Sequence, residues 1–159
     1  MIVISGGQTG ADIAGLKAAK KNGYKTGGYM PKGFKTLKGN KPEYAVEYGL
    51  KEANTYGYPL RTKLNVLNSD WTIWFEEKIS PGKQCTYKYI KMYSKPYLDL
   101  NINKLPSISY VLEWIKTNEI KTLNIAGHSQ ETSKNIESVV YNYLDEIFAN
   151  SEFSKTNKF

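Results

Sequence analysis

The chain has 159 residues, enough for one domain with a buried core, and shows no internal repeat. Its 22 Lys and Arg against 15 Asp and Glu leave a net charge of +7, which favours anionic partners without choosing among nucleotides, phosphates and nucleic acid. One cysteine excludes an intrachain disulfide and a zinc site built on paired cysteines, and no apolar stretch approaches the roughly 18 residues that span a bilayer.

No basic leader precedes the first apolar run, so a cytoplasmic protein with no membrane partner is expected. Lysines such as Lys17, Lys20, Lys21 and Lys25 are scattered as on a solvated helix face, and nucleic acid is not the leading partner. The richness in Lys, Asn, Tyr and Ile points to an AT-rich genome, bacterial or phage.

Residues 2–4, Ile-Val-Ile, form a β-branched run that stops at glycines, the pattern of a strand buried on both faces of a parallel sheet. Residues 11–22 carry Ile13, Ala14, Leu16 and Ala18 at helical spacing, with Gly23 as a stop signal and Gly15 as a point of close helix–sheet approach. A second strand is expected over 24–29, then a long loop to about Tyr44. A helix over 59–68 starts near Pro59. WTIWF at 71–75 is the strongest strand, followed by a turn at 80–83, a helix over 86–93 and a strand over 96–100. A helix over 108–118, a strand over 121–126 (KTLNIA) and a helix over 135–148 complete the chain. Residues 1–148 are read as one ligand-binding domain and 149–159 as a frayed tail. The alternation predicts an α/β domain with a mostly parallel sheet of about five strands and helices on both faces. Ligand contacts are then expected at the strands' carboxyl ends, where the strand order reverses.

The loop SGGQTG at 5–10 joins the first strand to its helix. Backbone N–H groups converging there, with the helix N-terminus behind them, would make an anion cradle. Against G-x-G-x-x-G the aligned residues are Ser5, Gly7 and Gly10, so the first glycine is missing. No acidic residue closes the second strand either, which disfavours a dehydrogenase. No G-x-x-x-x-G-K-[ST] is present, which removes the P-loop. Thr9 and Asp12 read alternatively as a helix cap with its capping-box partner. Three glycines exceed what a plain turn needs, and a side chain at Gly7 is expected to fill the phosphate position in a protein that still folds.

ISGGQTGAD at 4–12, GGYMPKG at 27–33, PEY at 42–44, the Arg61-Thr62 and Asn65-Val66 pairs, Ser69-Asp70 with Thr72, and LNIAG at 123–127 follow one another in order. Together they resemble the putative molybdenum carrier family over roughly residues 2–148. That family shares a Rossmann-like superfamily with the Lonely Guy phosphoribohydrolases, DNA-processing protein A and nucleotide-sensing domains of bacterial immune effectors. The resemblance implies a phosphate- or nucleotide-type ligand held by the glycine loop and by a loop after WTIWF. The ligand set read on this basis is Ser5, Gly6, Gly7, Gln8, Thr9, Asp12, Lys32, Arg61, Asn65, Ser69, Asp70, Gly82, Lys83, Thr86, Gly127, His128 and Ser129. It also implies a homo-oligomer and, as a possible cofactor, molybdenum cofactor with its pterin phosphate in the cradle. The chain departs from the family pattern at Ile13, at Trp71, in the 80–86 loop SPGKQCT and at HSQET 128–132, so that two expected arginines are absent.

Arg61 is the only arginine and can fork onto a phosphate. Asp70 can bind a ribose hydroxyl or cap a turn. His128, the only histidine, and Glu131 are the catalytic candidates; a ligand hydrogen bond or a plain loop role is the alternative for His128. Cys85 reads as a packed small residue. Among Tyr87, Tyr89, Tyr93, Tyr97, Trp71 and Trp74, one or two near the ligand loop could stack on a purine, worth about 1–3 kcal/mol. The leading expectation is a binding protein for a nucleotide-derived, phosphate-bearing small molecule, for instance an ADP-ribose-type or cyclic nucleotide signal, acting as sensor or sponge. A phosphoribohydrolase-like enzyme and a molybdenum cofactor carrier are the alternatives.

Overall fold

The structure is a computed structural model and describes residues 1–150. Its main sheet uses β1 (Ile2–Ser5), β2 (Lys25–Met30), β5 (Leu50–Glu52), β6 (Trp71–Glu76), β7 (Tyr97–Asn101) and β8 (Thr122–Gly127), in the order β5-β2-β1-β8-β6-β7. Every neighbouring pair is parallel. The apolar runs mark the centre of this sheet: Val3, Ile73, Phe75, Leu123 and Ile125 are fully buried.

Right-handed crossovers sort the helices between the two faces. Steps from β1 to β2 and from β7 to β8 move one way across the sheet, which puts α1 (Ala11–Lys21) and α5 (Ile108–Thr117) together with α6 (Ile136–Ala149). Steps into β6 and from β6 to β7 move the other way, which puts α3 (Tyr58–Leu67) and α4 (Pro81–Met92) on the opposite face, packed on each other. The larger core joins Ala11, Ala14 and Ala18 of α1 to Val111, Ile115, Val140 and Leu144 across the sheet residues. Gly15 lets α1 lie this close: a Cβ there would meet Ile125 Cγ2 at 2.7 Å.

The six-stranded sheet corrects the expected five strands, and the expected loop after β2 is largely structured. It holds an antiparallel hairpin of β3 (Lys35–Thr36) and β4 (Gly39–Asn40), then α2 (Tyr44–Tyr48) and the edge strand β5. These elements are too short for a period to show, and Gly49, at φ 70°, ends α2 directly before β5. Tyr48 and Leu50 nevertheless build a second core with Ile13, Leu16 and Met30. The turn expected at 80–83 is the first turn of α4: Ser80 Oγ accepts from Lys83 N at 3.3 Å, so the helix starts five residues earlier than 86. At the other end α6 runs to Ala149, and residues 151–159 of the expected tail lie outside the described residues. Among the described residues, no helix is long and apolar enough to cross a membrane.

Candidate functional site

The chain leaves β1 in one direction and β6 in the other, with β8 between them, so their carboxyl ends frame a crevice. A cleft of about 360 Å3 opens there. Gln8 reaches it from the glycine loop, Asp12 from the first turn of α1, and Tyr58, Arg61 and Thr62 from α3. Trp74 and the first turns of α4, from Ser80 to Thr86, form a second wall; Gly127, His128, Ser129 and Thr132 close it from β8.

Each glycine of the loop has a separate reason. A Cβ on Gly6 would stand 2.0 Å from Arg61 Nη1 and 2.8 Å from Asp12 Oδ2, so Gly6 makes room for that pair. Gly7, at φ 65°, turns the other way: a Cβ there would meet Leu50 Cδ1 and Met30 Sδ, both at 2.9 Å. The expectation that a side chain at Gly7 fills a phosphate position is therefore corrected, because that position faces the second core. Gly10, at φ 87°, lets the loop cross the β8 loop, where a Cβ would lie 2.4 Å from His128 O.

The loop's N–H groups are largely spoken for. Gly7 N donates to Ser5 Oγ at 3.2 Å, Gln8 N to Asp12 Oδ2 at 3.3 Å and Thr9 N to Gln8 Oε1 at 2.9 Å. Ser5 Oγ in turn donates to Asp12 O. Asp12, with its side chain 4% exposed, thus places a carboxylate where an external anion was expected, and Arg61 Nη1 meets it at 3.3 Å. Burial raises the Asp12 pKa, while Arg61 and the N–H groups of Gln8 and Gly6 work against that rise. Asp12 is not a capping-box partner: the N-cap of α1 is Gly10, with no side-chain cap bond.

Unmet hydrogen-bonding capacity belongs instead to buried atoms of residues that line the cleft. Tyr58 OH, Arg61 Nε and His128 Nε2 are buried with no hydrogen-bond partner among the described residues, and all three residues line the cleft. The Tyr58 ring also lies under the guanidinium, 5.4 Å from Arg61 Cζ. His128 is 2% exposed and packs edge-on against Trp74 at 6.2 Å. Burial lowers its pKa, opposed by the backbone at Lys78 and by Glu76 and Glu77.

Of the sequence-read set, Gln8, Asp12, Arg61, Gly82, Thr86, Gly127, His128 and Ser129 line the cleft. Others stand elsewhere. Asn65 is a backbone clamp: Nδ2 donates to Tyr29 O at 3.0 Å and Oδ1 accepts from Tyr29 N at 2.8 Å. Ser69 and Asp70 lie at the amino end of β6, away from the cleft, where Asp70 Oδ2 accepts from Lys121 N and Thr122 N. In the structure Asp70 acts as an acceptor for the backbone at the start of β8. Ser69 Oγ donates to Val66 O. Lys32 lies over the Tyr56 ring, and Lys83 is held by Glu76 and Asp99. Thr9 Oγ1 donates to Glu131 Oε2 at 2.5 Å. Burial pushes the Glu131 carboxyl up, but the Thr9 bond among others brings it below its ordinary value, which argues against a general acid.

Sequence reasoning missed Thr62, Thr132 and Leu37 as lining residues, and read Cys85 as packed although it is half-buried and lines the cleft. Of the aromatic residues, Trp74 reaches the cleft along with Tyr58, whereas Tyr87 pairs with Tyr97 and Trp71 with Trp114. No alternation of residue type distinguishes a lining strand end from a core one, and only the WTIWF run hinted at Trp74.

The fold is that of a Rossmann-like α/β protein, with a cleft at the topological switch between β1 and β6. The chain belongs to the Circularly permutated YpsA SLOG family, whose model matches residues 3–148. It is similar to a solved structure described as a putative molybdenum carrier protein from Syntrophus aciditrophicus SB, at 36% identity and a TM-score of 0.81, over 92% of this chain and 93% of that one. No curated protein matches it.

Proposed function

We propose that the cleft binds a small molecule combining an anionic group with a planar heterocycle, and that the chain carries this molecule rather than transforming it. The observation that carries the reading is that three residues lining one cleft each hold a buried polar atom without a partner among the described residues: Tyr58 OH, Arg61 Nε and His128 Nε2. A buried polar group without a partner costs about 1–3 kcal/mol, which a ligand's hydrogen bonds would recover.

The first candidate is the pterin phosphate of molybdenum cofactor, supported by family membership and by the name of the similar structure. The residues present fit this group. Arg61 and Tyr58 suit a phosphate, Trp74 offers an apolar wall to a ring, and the thiolates that hold molybdenum in the cofactor come from the pterin itself. The protein need not supply a metal cage, and no group of three His, Cys, Asp or Glu among the described residues forms one. A nucleotide-derived ligand, of ADP-ribose or cyclic type, is the second reading, favoured by the net charge of +7 together with the Tyr58 and Trp74 walls. Cytoplasmic residence and pairing of copies belong to the same proposal, as does the absence of turnover.

A thermal-shift panel of molybdate, molybdopterin, GMP and ADP-ribose tests it, since a ligand at a hundred times its Kd adds about 2.7 kcal/mol. A rise with molybdopterin and none with molybdate supports the cofactor reading, and a rise with ADP-ribose alone supports the nucleotide one. An unmoved Tm throughout removes the proposal. Mass spectrometry of the recovered ligand should show it intact; free base with ribose phosphate would mean a phosphoribohydrolase.

A further inference from the structure

His128 and Ser133 are each 2% exposed, on the loop that follows β8. His128 Nδ1 lies 3.3 Å from Ser133 Oγ, and Ser133 Oγ donates to Glu77 Oε2 at 2.5 Å. That bond holds the Glu77 carboxyl below its ordinary pKa, so it is ionised at neutral pH and can only accept. With the hydroxyl hydrogen committed to Glu77, Ser133 Oγ offers lone pairs to the imidazole, and Nδ1 must bring the proton. The Glu77 backbone N–H also lies 3.5 Å from Nδ1 and would demand the opposite tautomer. That contact is at the outer limit of a hydrogen bond, and the shorter contact anchored on a carboxylate decides. Nε2 is left as a buried lone pair with no partner among the described residues.

We propose that His128 Nε2 is the cleft's hydrogen-bond acceptor, fixed in that role by Ser133 and Glu77 as positioning residues, and that the ligand brings an N–H or O–H donor to it. This rests on the reading of the cleft as a ligand site. It narrows the ligand: beside the anionic group that suits Arg61 there must be a donor, as on the amino-lactam ring shared by guanine and pterins, or on a sugar hydroxyl. Ser133 and Glu77 were not singled out in the sequence, where they stand 56 positions apart.

The chain has one histidine, so nitrogen-15 NMR of imidazole-labelled protein reads a single ring. In the ligand-free protein the expected spectrum has a protonated Nδ1 and an unprotonated Nε2. Ser133→Ala shifts the balance toward Nε2–H, and Ser133→Thr, which keeps the hydroxyl, restores it; backbone amide spectra confirm that both are folded. A wild-type ring protonated at Nε2, or a ring unchanged by Ser133→Ala, overturns the assignment. Because no ligand is present, this result is independent of the binding panel. GMP and ribose 5-phosphate then separate the donors. Movement of Nε2 with GMP alone identifies the ring and movement with both identifies the sugar. A probe that saturates the cleft, judged by backbone amides, without moving Nε2 overturns the acceptor role.

Discussion

Gly6 and Gly7 are adjacent and look interchangeable in the sequence, yet their absent side chains point into different environments. Gly7→Val must adopt a left-handed φ and push into Leu50 and Met30, and is expected to cost about 3 kcal/mol or more. Gly6→Ala meets the far end of a flexible arginine, which can swing away. It should cost about 1 kcal/mol through the disturbed Asp12–Arg61 pair and lower ligand affinity at least tenfold. Chemical denaturation paired with calorimetry distinguishes the two; a Gly7 variant as stable as wild type would refute the core-facing assignment.

At the scale of elements, the β3–β4 hairpin is tied to the glycine loop by one side chain. Gln8 Oε1 accepts both from Thr9 N and from Leu37 N, the latter at 3.0 Å. Leu37 is 54% exposed and lines the cleft, so the hairpin overhangs the site and has little core of its own. Gln8→Ala should therefore raise the amide exchange rate at Leu37 by tenfold or more, while amides of β1 and β8 keep their protection. Equal exchange at Leu37 in the two proteins would show that the hairpin is held by something else. This element was invisible in the sequence because two-residue strands carry no period.

For the whole molecule, the buried histidine predicts a pH dependence. Its folded pKa is below its ordinary 6.5, so as pH falls the unfolded chain takes up the proton first. Stability is fully present above about 6.5 and is lost toward the folded value. The groups facing the ring are Ser133, the Glu76 and Glu77 carboxylates and Lys78. The carboxyls of Glu77 and Glu131, which are lowered from 4.5, act at lower pH. Asp12, raised by burial, acts with the opposite sign, contributing at low pH and losing that contribution as pH rises. The Tm should thus fall between pH 7.5 and 5.5 in the wild type and fall less in His128→Gln. Parallel curves would mean that the histidine does not titrate on unfolding.

The α/β class, the parallel sheet, the glycine loop and the family could all be read along the chain, because each rests on short contiguous runs or on the order of such runs: a buried parallel strand is a run of apolar residues, and this βα turn is rich in glycine. Arg61 and His128 could be singled out because each is the sole member of its type. What the residues could not reveal was direction. Asn65, Ser69 and Asp70 resembled ligand contacts by their place in blocks similar to the family's, and only the sheet order shows that Asp70 serves the amino ends of β6 and β8. The ion pair of Asp12 with Arg61, the relay from His128 through Ser133 to Glu77, and the strand order that opens the cleft between β1 and β6 join residues far apart in the chain. Tertiary structure alone decides such contacts, because pairing across a sheet is set by crossover geometry and packing, whereas local composition sets only the elements.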